Sequence, residues 1–189
     1  MNKYYHYHQL AITLLLVSVA FAQNMQNSNS SLISIGGGLR DPMGLGFEYQ
    51  HTVREHISGV ASLGFFPVDG FHAAFGACYR WRESDRIRPV VLTSISYNTG
   101  LRYSDGNMSL NGTRSAFITH GGLYLHLYGG VQIVLVKNIG LQYVLGWRQE
   151  FIGGGYRIIS SSDPVNTANA LDGVTGSGLT LGARVFWEL

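Results

Sequence analysis

The side chains with the most versatile chemistry are one cysteine and the five histidines that follow residue 22. They are Cys78, His51, His56, His72, His120 and His126. Nucleophilic catalysis needs a serine or cysteine, a histidine and an orienting acid close together in space. No local pairing of this kind is present, although His120 lies near Ser115 in the chain. Catalysis by a dyad built from separate strands therefore stays open, and Cys78 is interpreted as a small buried residue.

The same histidines do not form a metal-binding pattern. Metal sites draw their ligands from clusters of histidine, cysteine or carboxylate side chains. His120 and His126 are six residues apart, and no cluster of carboxylates or cysteines accompanies them. We predict no catalytic residue, no metal site and no cofactor.

A second set of polar side chains recurs at every second position, opposite apolar residues. In the stretch 45–51, Glu48 and Gln50 alternate with Phe47 and Tyr49. Alternation with a period of two indicates a β-strand with two different faces. Charges that lie inside a protein must be paired and hydrogen-bonded, so we expect an arginine–glutamate network. Its predicted members are Glu48, Gln50, His72, Arg80, Gln142, Arg148, Glu150, Arg184 and Glu188.

The start of the chain has the organisation of a secretory signal peptide. Lys3 precedes an apolar stretch over residues 10–19, and Ala20-Phe21-Ala22 forms a small-residue cleavage site. The apolar stretch is shorter than the ~20 residues that a membrane-spanning helix needs. We predict a signal peptide over residues 1–22, a polar leader over 23–30 and one folded domain over 31–189.

The composition favours a β protein with little water-facing surface. Hydrophobic residues make up 46% of the chain and charged residues 13%, which is about half the usual charged share of a globular protein. The formal net charge is +2, and no basic stripe indicates nucleic-acid binding. After residue 22 the only lysine is Lys137, an unusual composition for a soluble exterior.

Eight alternating stretches are separated by turn residues. They cover residues 32–40, 45–51, 57–66, 71–81, 89–98, 116–128, 139–151 and 177–189. Their length and dyad period are typical of strands in a transmembrane barrel, which also has short turns at one end and long loops at the other. The long polar segments here are 97–115 and 153–176, whereas Lys137-Asn138 marks a tight turn. In hydrocarbon, only helices and closed barrels pair all their backbone groups. We predict an all-β fold, an eight-stranded antiparallel transmembrane β-barrel in an up-and-down meander.

Two stretches carry a resemblance to a known family. The segments "GGVQIVLVKNIGLQYVLGW" and "SGLTLGARVFWEL" resemble small bacterial outer-membrane barrels of the OmpA/OmpX type. The resemblance implies recognition by the barrel-assembly machinery through a C-terminal signal of polar, glycine, apolar and aromatic residues. The matching residues are Thr180, Gly182, Val185 and Trp187. The family usually ends on its aromatic residue, whereas this chain continues with Glu188 and Leu189.

The predicted function is non-enzymatic: a structural or cell-surface interaction role in the bacterial outer membrane. An eight-stranded barrel is just wide enough for its own side chains, so a diffusion pore is not expected. The expected partners are outer-membrane lipid and lipopolysaccharide, the assembly machinery, and a surface ligand of loops 97–115 and 153–176. Two alternatives stay open. One is a lipid A-modifying barrel enzyme, which implies a serine and a histidine together at the outer rim. The other is a soluble secreted lipocalin-like barrel that binds a ligand.

Overall fold

The computed structural model describes residues 30–81, 86–110 and 113–189. The predicted signal peptide and residues 23–29 of the predicted leader lie outside these ranges. Within them, no helix is long and apolar enough to cross a membrane.

Eight strands form a closed antiparallel barrel. They are β1 (Ser31–Leu39), β2 (Leu45–Arg54), β3 (Ile57–Phe66), β4 (Gly70–Arg80), β5 (Ile87–Asn98), β8 (Gly122–Val136), β9 (Ile139–Gly153) and β11 (Gly178–Glu188). β11 closes the barrel by pairing with β1, from Leu39 opposite Leu181 to Leu32 opposite Glu188. The predicted eight-stranded up-and-down barrel is therefore confirmed, and it leaves no open sheet edge in the wall.

The strands alternate between an apolar outer face and an inner face, as the period-two pattern predicts. On β2, Phe47 is 60% exposed and the adjacent Glu48 only 2%. On β11, Leu179 and Leu181 point outward, while Thr180 between them is completely buried. The faces of β5, which the sequence pattern left unassigned, alternate in the same way along the strand. Exposed apolar side chains thus surround the barrel, and polar side chains fill much of its lumen.

The remaining described elements form a small folded unit, the cap, at one end of the barrel. The cap consists of β6 (Arg102–Leu110), β7 (Thr113–Thr119), β10 (Tyr156–Ser161) and the helix α1 (Pro164–Asp172). Asp163 is the N-cap of α1, and its carboxylate accepts a hydrogen bond from the amide of Asn166 at 3.0 Å. One face of the cap sheet packs on α1 and on the β3–β4 turn through Phe117, Leu171 and Val68. We call this end the cap end, and the opposite end, with both described termini, the turn end.

The cap sheet is a continuation of the barrel wall. Its order, β10-β7-β6, repeats the order β9-β8-β5 in the barrel. Asn98 pairs with Gly122 in the barrel, and four residues farther along both strands Arg102 pairs with Ile118 in the cap. The register is therefore unbroken. Glycines interrupt the strands at one level: Gly100 and the run 153–155 have positive φ angles between 68° and 79°, which side chains with a Cβ rarely adopt.

Two predictions about this region were wrong. The predicted strand 116–128 is two elements, β7 and β8, separated at His120-Gly121. The polar segments 97–115 and 153–176 were treated as loops, but they contain β6, β10, α1 and the first residues of β7. The reason is that the packed face of this small sheet is partly polar. Ser115 and Ser161 contact Thr167 of α1 through their hydroxyls, so the cap strands carry no clean apolar alternation. The turn at Lys137-Asn138 lies where it was predicted.

Candidate functional site in the barrel lumen

The best-connected polar cluster in the lumen is centred on Arg184 of β11. Its Nη1 donates to both oxygens of Glu48, on β2, at 2.8 and 2.7 Å. Its Nη2 donates to both oxygens of Asp41 at 3.2 and 2.9 Å. All three side chains are almost completely buried. One guanidinium thus binds two carboxylates through charge-assisted hydrogen bonds, which are roughly twice as strong as hydrogen bonds between neutral groups.

The cluster extends along the lumen through an amide. Gln50 donates from Nε2 to Glu48 at 2.9 Å, and its Oε1 accepts from Arg80 Nη2 at 3.0 Å. Two arginines and two carboxylates are therefore joined across β2, β4, β11 and the β1–β2 turn. Formal charges balance within the cluster, which is the condition for keeping ionised groups in an interior.

Asp41 enters the lumen because the β1–β2 turn folds inward at the cap end. The turn closes through a hydrogen bond from the Gly44 amide to the Asp41 carbonyl at 2.9 Å. The Met43 amide then donates to the Asp41 carboxylate at 2.9 Å. A Cβ at Gly182 on β11 would collide with that carboxylate. The glycine predicted as part of an assembly signal therefore also leaves the space that Asp41 fills.

A second cluster at the cap end is centred on Arg148 of β9. Its Nη1 lies 3.4 Å from Asp69 of the β3–β4 turn, and His72 Nε2 lies 3.7 Å from the same carboxylate oxygen. Its guanidinium stacks on the Tyr124 ring at 4.3 Å. It also donates to two backbone carbonyls of the α1–β11 connection, Gly176 at 2.9 Å and Val174 at 3.0 Å. Arg148 thus ties the cap to the lumen.

The electrostatics at the mouth of the barrel, the opening of the lumen at the cap end, depend on the burial of Asp69. Burial raises the pKa of its carboxyl above the usual range, and the Arg148 guanidinium opposes that shift. On the other side of the mouth, Arg40 of the β1–β2 turn donates to the carbonyls of Asp172 and Thr175. The connection that follows α1 is therefore anchored from both the β1–β2 turn and the lumen.

Mid-lumen, a histidine lies between two hydroxyls. His126 Nε2 is 2.7 Å from Ser96 Oγ, and its Nδ1 is 2.5 Å from the Tyr128 hydroxyl. His126 is completely buried and Ser96 is 3% exposed. Below them the lumen is filled by an apolar cluster of Val60, Cys78, Val90, Leu92, Tyr128 and Val144. Cys78 is buried, as expected for a small packing residue.

The turn end of the lumen holds a separate polar set. Gln132 donates to Gln142 at 2.9 Å, and Arg88 forms an ion pair with Glu188. A small cavity of about 60 Å³ lies beside this ion pair, lined also by Arg80 and Thr52. This volume admits only molecules as small as water.

The nine residues predicted for an enclosed network do not form one network. Seven are buried in the lumen: Glu48, Gln50, His72, Arg80, Gln142, Arg148 and Arg184. Glu48, Gln50, Arg80 and Arg184 are joined directly, whereas Gln142 pairs with Gln132. Glu150 and Glu188 are half-buried at the two ends.

Sequence reasoning missed the carboxylates that complete both clusters. Asp41 and Asp69 lie in "DPMG" and "PVDG", which were interpreted only as turns. Both turns fold back into the lumen at the cap end, and nothing in the strand alternation signals this. His126 is buried next to Tyr128 of its own strand, and its second partner, Ser96, comes from β5 through a strand pairing that only the fold defines.

One serine–histidine pair lies outside the lumen, at the turn end. Ser31 Oγ is 3.0 Å from His51 Nδ1 and 2.9 Å from the Tyr49 hydroxyl. By contrast, the Ser115 hydroxyl that was noted near His120 lies 2.6 Å from Thr167 of α1. Among the described residues, no group of three or more histidine, cysteine or acidic side chains is placed to hold a metal ion.

The fold is similar to that of a known barrel. The crystal structure of the N-terminal beta-barrel domain of Pseudomonas aeruginosa OprF matches with a TM-score of 0.56 and 12% sequence identity. The match covers 87% of this chain and 100% of that domain. No protein-family model matches the sequence, and no curated protein is significantly similar to it. The likeness supports an OmpA-like barrel fold.

Proposed function

We propose that this chain is a non-enzymatic β-barrel of the bacterial outer membrane with a structural or cell-surface interaction role. The observation that carries the proposal is that apolar side chains lie on the outside of the barrel and charged side chains on the inside, the opposite of a soluble protein. Outward residues such as Leu45, Leu63 and Leu127 are more than half exposed, while arginines and carboxylates are enclosed. Monomeric soluble proteins rarely expose apolar patches larger than a few hundred Å², whereas the hydrocarbon of a bilayer solvates such a surface.

The aromatic residues support a membrane-spanning orientation. Phe65 and Phe71 form an edge-to-face pair at the cap end, 5.2 Å between centroids. Tyr79 and Trp81 form another at the turn end, 4.6 Å between centroids. Aromatic girdles at both interfaces and longer connections outside are the pattern of outer-membrane barrels. We therefore place the cap on the outer surface and the turn end in the periplasm, where the closing residue Trp187 joins the inner girdle.

The filled lumen argues for a structural role rather than a diffusion channel. The Arg184 cluster, the Arg148 cluster and the apolar cluster around Cys78 all occupy the interior. The two polar clusters connect turns to strands, so they hold the barrel and cap together. Assembly of this barrel would use the C-terminal signal at Thr180, Gly182, Val185 and Trp187, with the outer-membrane lipid as its surroundings.

The proposal is tested by the cell fraction in which the intact chain is found and by whether the chain needs detergent to stay in solution. We expect it in the outer-membrane fraction, soluble only with detergent, and with heat-modifiable mobility on a gel. Surface proteolysis of whole cells should cleave within residues 97–115 or 153–176. Recovery from the periplasm or the medium without detergent contradicts the proposal and favours the soluble lipocalin-like alternative.

A second candidate, a lipid-modifying enzyme, has one specific observation in its favour: the outward Ser31–His51 pair. This pair lies at the turn end, so in the proposed orientation it faces phospholipid on the periplasmic side and not lipid A at the outer rim. A hydroxyl next to an imidazole is the core of a nucleophilic site. Release of fatty acid from phospholipid by the purified barrel, abolished in Ser31→Ala and retained in Ser96→Ala, would support it. We expect no release of fatty acid from the wild type or from either variant.

A further inference from the structure

The cap sheet has a face that α1 does not cover, and this face carries three arginines. Arg102 pairs with Ile118, and Ile118 pairs with Arg157. Residues paired directly across antiparallel strands point to the same face. Arg114 lies on that face too, since it is four residues from Ile118 along β7 and side chains alternate with a period of two. All three arginines are exposed. We call this set the arginine face.

The opposite face of β7 is the one that packs. Phe117 is completely buried against Leu171 of α1, and the Ser115 hydroxyl lies 2.6 Å from Thr167 of α1. The three arginines therefore point away from the helix, and their exposed side chains take no part in the packing of Phe117 on α1. A row of charged side chains with no packing role on an ordered sheet is a candidate contact surface.

The acidic residues at the cap end whose side chains are described lie near other groups. Asp172 lies near Arg40 and Tyr156, and Glu150 lies near Arg148. Asp41 and Asp69 are buried in the lumen against Arg184 and Arg148, and the Asp163 carboxylate caps α1. None of the three arginines forms an ion pair with a residue whose side chain the structure describes, that is, within residues 30–189 but outside 82–85 and 103–113. The arginine face is therefore a concentration of uncompensated positive charge within that part of the chain.

Guanidinium groups suit phosphate in particular. Arginine binds phosphate through two parallel hydrogen bonds, whereas lysine acts as a point charge. Arg102 and Arg157 lie on either side of β7, so their Cα atoms are about 10 Å apart, two strand spacings. Arg114 is about 13 Å along β7 from the row that contains them. These separations are larger than a single phosphate group, so the three arginines suit a ligand that carries two phosphate groups.

The position of the row relative to the barrel indicates where the phosphates would come from. Arg102, Ile118 and Arg157 each lie four residues beyond the last barrel residues Asn98, Gly122 and Gly153, about 13 Å along the strands. The polar head-group zone adds about 5–7 Å to each side of the hydrocarbon core. Because barrel strands are tilted by about 40°, this distance is about 10 Å along the membrane normal. A barrel that ends at the edge of the core would thus hold the row a few Å beyond that zone, within reach of extended arginine side chains.

We propose that the arginine face binds the phosphate groups of a phosphorylated glycolipid in the outer leaflet. The proposal rests on the outer-membrane location proposed above. Binding would be electrostatic and would fall with added salt, because exposed charge pairs are screened.

The test measures retention of diphosphorylated lipid A by the full-length barrel in zwitterionic detergent, with the dephosphorylated lipid in parallel. The variant R102Q/R114Q/R157Q removes the charges of the arginine face. The matched control R54Q/R86Q/K137Q removes the same number of exposed charges at the turn end. A third variant, R102K/R114K/R157K, keeps the charge and loses the bidentate geometry. Heat-modifiable mobility checks that every variant folds.

We expect retention about tenfold weaker in the glutamine variant, an intermediate loss in the lysine variant and no loss in the control. The dephosphorylated lipid should bind the wild type as weakly as the phosphorylated lipid binds the glutamine variant. Equal retention by the glutamine variant and the wild type, or equal losses in the glutamine variant and the control, would overturn the inference. Flotation of the wild type with phosphatidylcholine vesicles separately tests the membrane location, so the two failures are distinguishable.

Discussion

Replacing Arg184 with methionine tests how the lumen is held together. Methionine keeps an unbranched stem of similar volume and removes only the guanidinium. Asp41 and Glu48 would then face each other as carboxylates that are at most 1% exposed, with their shared cation gone. Glu48 would retain its hydrogen bond from Gln50, and Asp41 its hydrogen bond from the Met43 amide.

The expected magnitude follows from the number of orphaned charges. Removing one partner of a buried ion pair costs about 3–5 kcal/mol. Since Arg184 serves two carboxylates, we expect R184M at the upper end, about 4–5 kcal/mol. The triple variant D41N/E48Q/R184M removes all three charges. Replacing a buried charged set by neutral residues is often close to neutral, so most of the loss should be recovered, leaving about 1–2 kcal/mol.

The assay is reversible urea unfolding of the barrel in lipid vesicles, followed by tryptophan fluorescence and gel mobility. R184M, D41N/E48Q and the triple variant are compared with the wild type in one cycle. The triple variant should be more stable than R184M, which is a coupling that independent sites do not show. Additive losses, with the triple variant the least stable, would refute the view that Arg184 acts by compensating the two carboxylates.

Three further outcomes follow from single positions. Gly182→Ala should destabilise the barrel by about 1–3 kcal/mol, because the added Cβ meets the carboxylate of Asp41 in the β1–β2 turn. Urea unfolding measures the loss, and Gly129→Ala, where a Cβ meets nothing within 4 Å, is the control. The pKa of Asp69 is raised on folding, so its contribution to the free energy of unfolding should fall as pH rises from about 4 through the folded pKa, and a pH series on Asp69→Asn should lack this fall. Arg148→Met should speed amide hydrogen exchange over residues 174–176 while the barrel strands stay protected; unchanged exchange there would contradict the anchoring role of Arg148.

The alternation of apolar and polar residues predicted the barrel strands, but it did not predict the strands of the cap. Leu179, Leu181 and Val185 alternate with Thr180 and Arg184, so the two faces of β11 can be assigned from the sequence alone. A face that meets hydrocarbon must be apolar at nearly every position, which leaves a strong signal. The cap strands have no such requirement, because water solvates one of their faces, and their glycine-rich junctions conceal that they continue β5, β8 and β9.

The sequence by itself determined the number of barrel strands, the faces of most of them and the strand residues that point inward there, since each is a local property of a pleated strand. Which charges meet was decided only by the tertiary structure. Arg184 finds Asp41 and Glu48 across β11, β2 and a turn, and Arg148 finds Asp69 across the mouth of the barrel. Closing the sheet brings distant positions to one level of the lumen, and that level depends on strand register and on inward-folded turns. The closed wall also extends into the cap and aligns Arg102 with Arg157, although 55 positions separate them in the chain.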